Sequence, residues 1–117
     1  MDTEQFLTIA KNALEDKKAI DIKVLDVRKI SSITDFMIVA TGNTARQVIA
    51  LAKHVVEKAK AHGHRPLGEE GGSEWALVDL GDVIVHIMQP ETRDFYQLEK
   101  LWSDMAGEIR LSQLSPT

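Results

Sequence analysis

The chain contains no cysteine, which excludes disulfides, a thiolate nucleophile and any zinc or iron–sulfur site built on thiolates. Aromatic residues are scarce, with two tryptophans, one tyrosine and three phenylalanines among 117 residues. No apolar run approaches the roughly 20 residues that a membrane-spanning helix needs. The N-terminal Met1 to Phe6 carries acids and lacks a basic n-region, so a secretory signal is not expected. A basic excess is missing as well: 14 Lys and Arg stand against 18 Asp and Glu, a formal net charge of -4. Phosphate backbones are gripped through clustered cations, so autonomous nucleic-acid binding is a poor expectation. An acidic surface is better matched to a basic partner, whose approach it accelerates. The cations Lys53, Lys58, Lys60 and Arg65 read as a solvated helix face. These absences point to a cytoplasmic protein with no membrane association.

What remains is enough for one domain with a real core, with 44% hydrophobic and 27% charged residues, both ordinary for a globular chain. Phe6, Ala10, Ala13 and Leu14 recur at helical spacing and predict a helix from Thr3 to about Lys18, with Asp2 and Gln5 as a start signal. Ile22 to Val27 reads as a strand with apolar residues on parts of both faces. The near-continuous apolar run Asp35 to Thr41 predicts a strand covered on both sides. Gly42 and Asn43 break the chain, and Thr44-x-x-Gln47 is a capping box opening a second helix. Its stripe of Val48, Ala52, Val55 and Ala59 ends near Gly63, which can take a left-handed cap, and Pro66 follows. Leu67 to Glu74 is a short extended piece running into a loop. Trp75–Leu80 and Val83–Met88 flank so tight a turn that they predict an antiparallel hairpin. Pro90 opens a last helix, with Phe95, Leu98 and Trp102 as its inward stripe. The order α-β-β-α-(β)-β-β-α predicts an α/β fold, a single domain with a mixed β-sheet flanked by helices over residues 1–103. Residues 104–117 have weak periodicity and are expected to form a loosely ordered tail.

Catalytic patterns are missing from this frame. Neither a Walker loop nor GxGxxG is present, and Ser31, Ser32 and Ser73 lack a nucleophile context. His62-x-His64 with Glu69 and Glu70 offers nitrogen and oxygen ligands, but its spacing matches no strong metal motif and reads as a polar helix terminus. His86, on an apolar strand, reads as a satisfied structural histidine, and nothing marks His54. Two-metal phosphoryl transfer requires converging carboxylates. Asp35, Glu69, Glu70, Asp79 and Asp82 are the candidates, yet Met37 stands where Asp-x-Asp needs its second acid, and no Gly-Ser pair precedes Asp35. No catalytic residue, metal or cofactor is expected.

The stretch Trp75 to Trp102 spends both tryptophans and the only tyrosine without any catalytic partner. That distribution suits a surface that grips another macromolecule. Trp75, Leu77 and Asp79 share one strand face, with Trp75 open between burial and exposure. Tyr96, Glu99 and Lys100 fall at i, i+3 and i+4 on a side away from the expected core residues Phe95 and Trp102.

At these residues the chain resembles the ribosomal silencing factor family, RsfS, also called Iojap. The resemblance runs from Phe6 to Trp102 and rests on DIKVLDV at Asp21–Val27, SSITDFMIVATG at Ser31–Gly42 and PLGE at Pro66–Glu69. It continues with WxxVDLGDVIVH at Trp75–His86 and RxFYxLEKLW at Arg93–Trp102. It implies a nucleotidyltransferase-like α/β domain without the catalytic carboxylate set. It also implies a non-enzymatic repressor of translation. Such a protein binds the large ribosomal subunit through the basic L-fourteen protein of its inter-subunit face, makes little direct contact with ribosomal RNA, and sterically blocks joining of the small subunit. The partner surface implied in this way comprises Trp75, Asp79, Tyr96, Leu98, Glu99 and Lys100. Periodicity agrees for Tyr96, Glu99 and Lys100 but places Leu98 inward. Two other readings stay open: a vestigial nucleotide-binding protein using Asp35 and Glu69, and a homodimeric interaction module.

Overall fold

A computed structural model describes residues 3–97 and residue 100. Helix α1 (Thr3–Asp16) buries Ala10, Ala13 and Leu14, with Phe6 packed at the edge of the same cluster. It stops two residues before the expected Lys18 because Lys18 takes φ 63° and the Ala19 N–H reaches back to the Leu14 carbonyl at 2.9 Å, closing the final turn. Strand β1 (Ile20–Asp26) follows. It begins two residues earlier than its apolar pattern implies, because its register shifts between Ile20 and Lys23 around Asp21 at φ 52°, and that irregularity hides the alternation.

Strand β2 (Phe36–Thr41) leads to helix α2 (Ala45–Ala61), and the capping box between them forms. The Gln47 N–H donates to Thr44 Oγ1 at 3.1 Å, while Gln47 Oε1 accepts from the Asn43 N–H at 2.8 Å. Gly63 at φ 81° lies just past the helix end, as expected. Strands β3 (Gly68–Gly71), β4 (Trp75–Asp79) and β5 (Val83–Met88) and helix α3 (Pro90–Tyr96) complete the order.

The five strands form one sheet in the order β1-β2-β5-β4-β3, with β2 and β5 parallel and every other pair antiparallel. The mixed sheet expected from the element order is therefore present. Helices α1 and α2 cover one face, where Ile38, Ala40, Val78, Val83, Val85 and Ile87 meet Leu14, Val48, Leu51 and Val55. Each large side chain buried there contributes about 1.5–3 kcal/mol. Side chains alternate along a strand, so Met37, Val39 and Met88 point the other way, into a smaller cluster with Leu25 and Trp75. This second layer explains why the β2 run is apolar throughout. Among the described residues no helix is long and apolar enough to cross a membrane. Asp2, Leu98, Glu99, Trp102 and the 104–117 tail lie outside the described residues.

Candidate functional site

Sheet register brings the site together. Thr41 of β2 pairs with Met88 of β5, and Trp75 of β4 pairs with the same Met88. The three residues thus form a row at one end of the sheet, on the face turned away from α1 and α2. Strand β5 runs directly into α3 at that end. Pro90 is pre-shaped for the first helical position. Gln89 ties the helix start to the β3–β4 loop: its N–H donates to the Glu74 carbonyl at 3.0 Å and its Nε2 to the Ser73 carbonyl at 2.9 Å.

The buried residue of α3 is not an apolar one but Arg93. Its Nη1 donates to Thr41 Oγ1 at 2.6 Å, and its Nη2 lies 3.7 Å from Asp21 Oδ2. Residues i and i+3 share a helix side, so the face that sends Arg93 toward β2 and β1 also presents Tyr96 to β4. The Tyr96 ring settles on Trp75 with centroids 4.9 Å apart, and Phe95 meets Tyr96 edge-on, also at 4.9 Å. Tyr96 is 54% exposed and Phe95 79%. Glu74 and Glu91 border these rings in a shallow groove of about 390 Å³.

Beneath the rings, the Trp75 Nε1–H donates to His86 Nδ1 at 3.0 Å. His86 is buried, and that burial pushes its imidazole down from 6.5 to about 4. The ring is neutral at pH 7, and the bond to Trp75 assigns its proton to Nε2. The reading of His86 as a structural histidine agrees with its burial and with the bond its Nδ1 accepts.

The structure brings Trp75 and Tyr96 together. Lys100 lies on the opposite flank of α3, in a groove of about 560 Å³ shared with Asp21, Thr41 and Arg93. Asp79 shares a face with Trp75 but sits four residues along β4, about 13 Å away at the rise of a strand. There its Oδ1 accepts the Gly81 N–H at 2.8 Å and holds the hairpin turn. Leu98 and Glu99 lie outside the described residues. Phe95 corrects an expectation: it is exposed, not core. Helix α3 ends at Tyr96, and Gln97 takes a left-handed conformation at φ 48°, ψ 44°. The helical spacing that linked Phe95 to Leu98 and Trp102 therefore does not run through. Sequence reasoning assigned no role to Arg93, Glu74 or Glu91. A hairpin register counted outward from Gly81 already sets Leu77 against His86, which makes Trp75 and His86 diagonal neighbours on one face.

Asp82 Oδ2 accepts from Thr3 Oγ1 at 3.0 Å, the Asp35 N–H donates to the Asp82 carbonyl at 3.0 Å, and Glu69 and Glu70 lie on exposed β3. His62 Nδ1 pairs with the Lys58 carbonyl and His64 Nε2 with the Leu80 carbonyl, each at 2.9 Å. Among the described residues no cluster of three or more His, Asp or Glu is arranged to hold a metal.

Comparison with known proteins supplies the family. The model described as "Ribosomal silencing factor during starvation" (RsfS) matches residues 1–117. Ribosomal silencing factor RsfS of Haemophilus influenzae is 50% identical over 92 residues, 77% of this chain and 90% of that one. A crystal structure of a Chromobacterium violaceum protein aligns at TM-score 0.86 with 43% identity, covering 100% of this chain and 92% of that one. A mouse relative named "Mitochondrial assembly of ribosomal large subunit protein 1" is 29% identical over 107 residues, 87% of this chain but 47% of that one. The chain belongs to the ribosomal silencing factor (RsfS) family.

Proposed function

We propose that this chain is a cytoplasmic, non-enzymatic repressor of translation. It binds the large ribosomal subunit through the basic L-fourteen protein of the inter-subunit face, and its bulk blocks the small subunit from joining. The observation that carries this reading is the exposed Tyr96 ring seated on a hydrogen-bonded Trp75, with exposed Phe95 edge-on to it and Glu74 and Glu91 at the border. Anchored aromatics with an acidic rim are what a basic protein partner meets with most gain: the rings supply the burial and the acids supply attraction and register. Family membership and the large-subunit name of the mouse relative support the large ribosomal subunit as the target. In this reading Leu98, Glu99 and Lys100 also meet the partner, which reaches both flanks of α3 to touch Tyr96 and Lys100. A partner touching both Tyr96 and Asp79 spans the length of β4.

Binding of purified large subunits to the parent and to Tyr96→Ala tests the surface. The expected loss is about 2 kcal/mol or more, roughly thirtyfold in affinity. Equal affinity of the two proteins would show that the partner meets another face.

A further inference from the structure

We propose that His86 is a positioning residue for partner recognition: its Nδ1 holds the Trp75 indole in the orientation that seats Tyr96. The inference rests on the Trp75–Tyr96 surface being the one the partner meets. His86 does not itself face a partner, since it is 6% exposed. It acts through a chain of contacts leading outward. Its ring lies 5.9 Å from Trp75 by centroids and accepts the indole N–H at 3.0 Å; Trp75 then supports Tyr96 at 4.9 Å, and Tyr96 supports Phe95. Exposure rises along this chain, from 6% at His86 to 54% at Tyr96 and 79% at Phe95. Rigidity set in the core is thereby handed to residues that would otherwise sample several rotamers in water, and preorganised contact residues lose less entropy on binding.

The strand sequence shows that packing alone does not call for a histidine here. The rest of β5 is Val83, Ile84, Val85, Ile87 and Met88, and β2 places Val39 beside His86 in register. An imidazole among such neighbours is costly unless it is hydrogen-bonded. Strand β5 is flanked on both sides by β2 and β4, which commits its backbone groups to the ladder. The indole N–H and the imidazole nitrogen therefore answer each other's need. A half-buried tryptophan on this face gains one orientation rather than several.

The test uses the full chain with its tryptophan and histidine side chains labelled with nitrogen-15, the Trp75 indole signal being assigned by its loss in Trp75→Phe. In the parent, His86 should show the Nε2–H tautomer; an Nδ1–H tautomer overturns the proposal, because a protonated Nδ1 cannot accept. His86→Phe keeps a ring but removes the acceptor. Its Trp75 indole N–H should exchange with solvent about tenfold faster, and large-subunit affinity should fall about fivefold. His86→Gln, which retains an acceptor oxygen, should recover part of both. In a Trp75→Phe background His86→Phe should leave affinity unchanged, which a general loss of stability would not do. Unchanged indole exchange in His86→Phe, or unchanged affinity where the parent binds, overturns the proposal. A parent that fails to bind large subunits overturns the functional reading instead, and the tautomer and indole exchange then decide the positioning by themselves.

Discussion

The two faces of the sheet are built on different principles. The face under α1 and α2 is held by area: Ile38, Val85 and Ile87 of the sheet and Leu51 and Val55 of α2 are each fully buried where they meet. The other face ends in a seven-residue helix whose buried residue is a charged one, Arg93, held by Thr41 and Asp21. Directional bonds hold α3 at the end of the smaller apolar layer of Met37, Val39 and Met88, and they leave Phe95 and much of Tyr96 outside. The comparison teaches that the domain separates the work of staying folded from the work of presenting a surface. A helix anchored chiefly by polar contacts draws only on the Tyr96–Trp75 stacking for its own attachment, so Phe95 and the outer half of Tyr96 stay available to a partner.

Substitutions on each side should break the comparison in opposite ways. On the helix side, Leu51→Ala should cost about 2–5 kcal/mol of stability, read by urea denaturation, and leave the large-subunit affinity of the folded fraction unchanged. An affinity loss matching the stability loss would mean that the two faces are not separate.

Acid should act on the other face through His86. Its folded value of about 4 lies below the ordinary 6.5. Between those pH values the unfolded chain takes up a proton that the native chain does not, so stability falls as pH drops through that window. The loss at the bottom of the window is roughly 3 kcal/mol. Urea midpoints measured at pH 7, 5.5 and 4.5 should show it, and His86→Phe should flatten the dependence between those points.

Phe95→Ala should sharpen the contrast most. At 79% exposure the ring adds little to the fold, so stability should change by less than about 0.5 kcal/mol. Affinity for large subunits should nevertheless fall by about 1–2 kcal/mol. Calorimetric unfolding and a binding titration on the same preparation check both halves of that statement.

The helix-covered face was largely legible in the sequence. The spacing of Ala10, Ala13 and Leu14, the Thr44–Gln47 box and the tight turn at Gly81 are local signals, and all three are realised. The apolar β2 run even announced the second layer beneath Trp75. The surface was legible only in part, because it depends on register and on one backbone angle. Tyr96 was read as exposed from its polar neighbours. Phe95 was drawn inward by a period that Gln97 interrupts at φ 48°, and no residue-type preference marks glutamine as a left-handed cap. Arg93 entered only as the first residue of the RxFY motif, and nothing local says that Thr41, 52 positions away, receives it. Asp79 shows the converse: alternation correctly put it on the face of Trp75, but a shared face is not proximity.

Subunit joining tests the central claim most directly. Purified large subunits are mixed with the protein, small subunits are added, and the products are separated on a sucrose gradient. The account predicts that the protein travels with large subunits, is absent from the small-subunit fraction, and lowers the assembled-ribosome peak in proportion to its occupancy. An undiminished assembled peak with the protein bound to large subunits would contradict steric blocking, and protein left at the top of the gradient would contradict the binding itself.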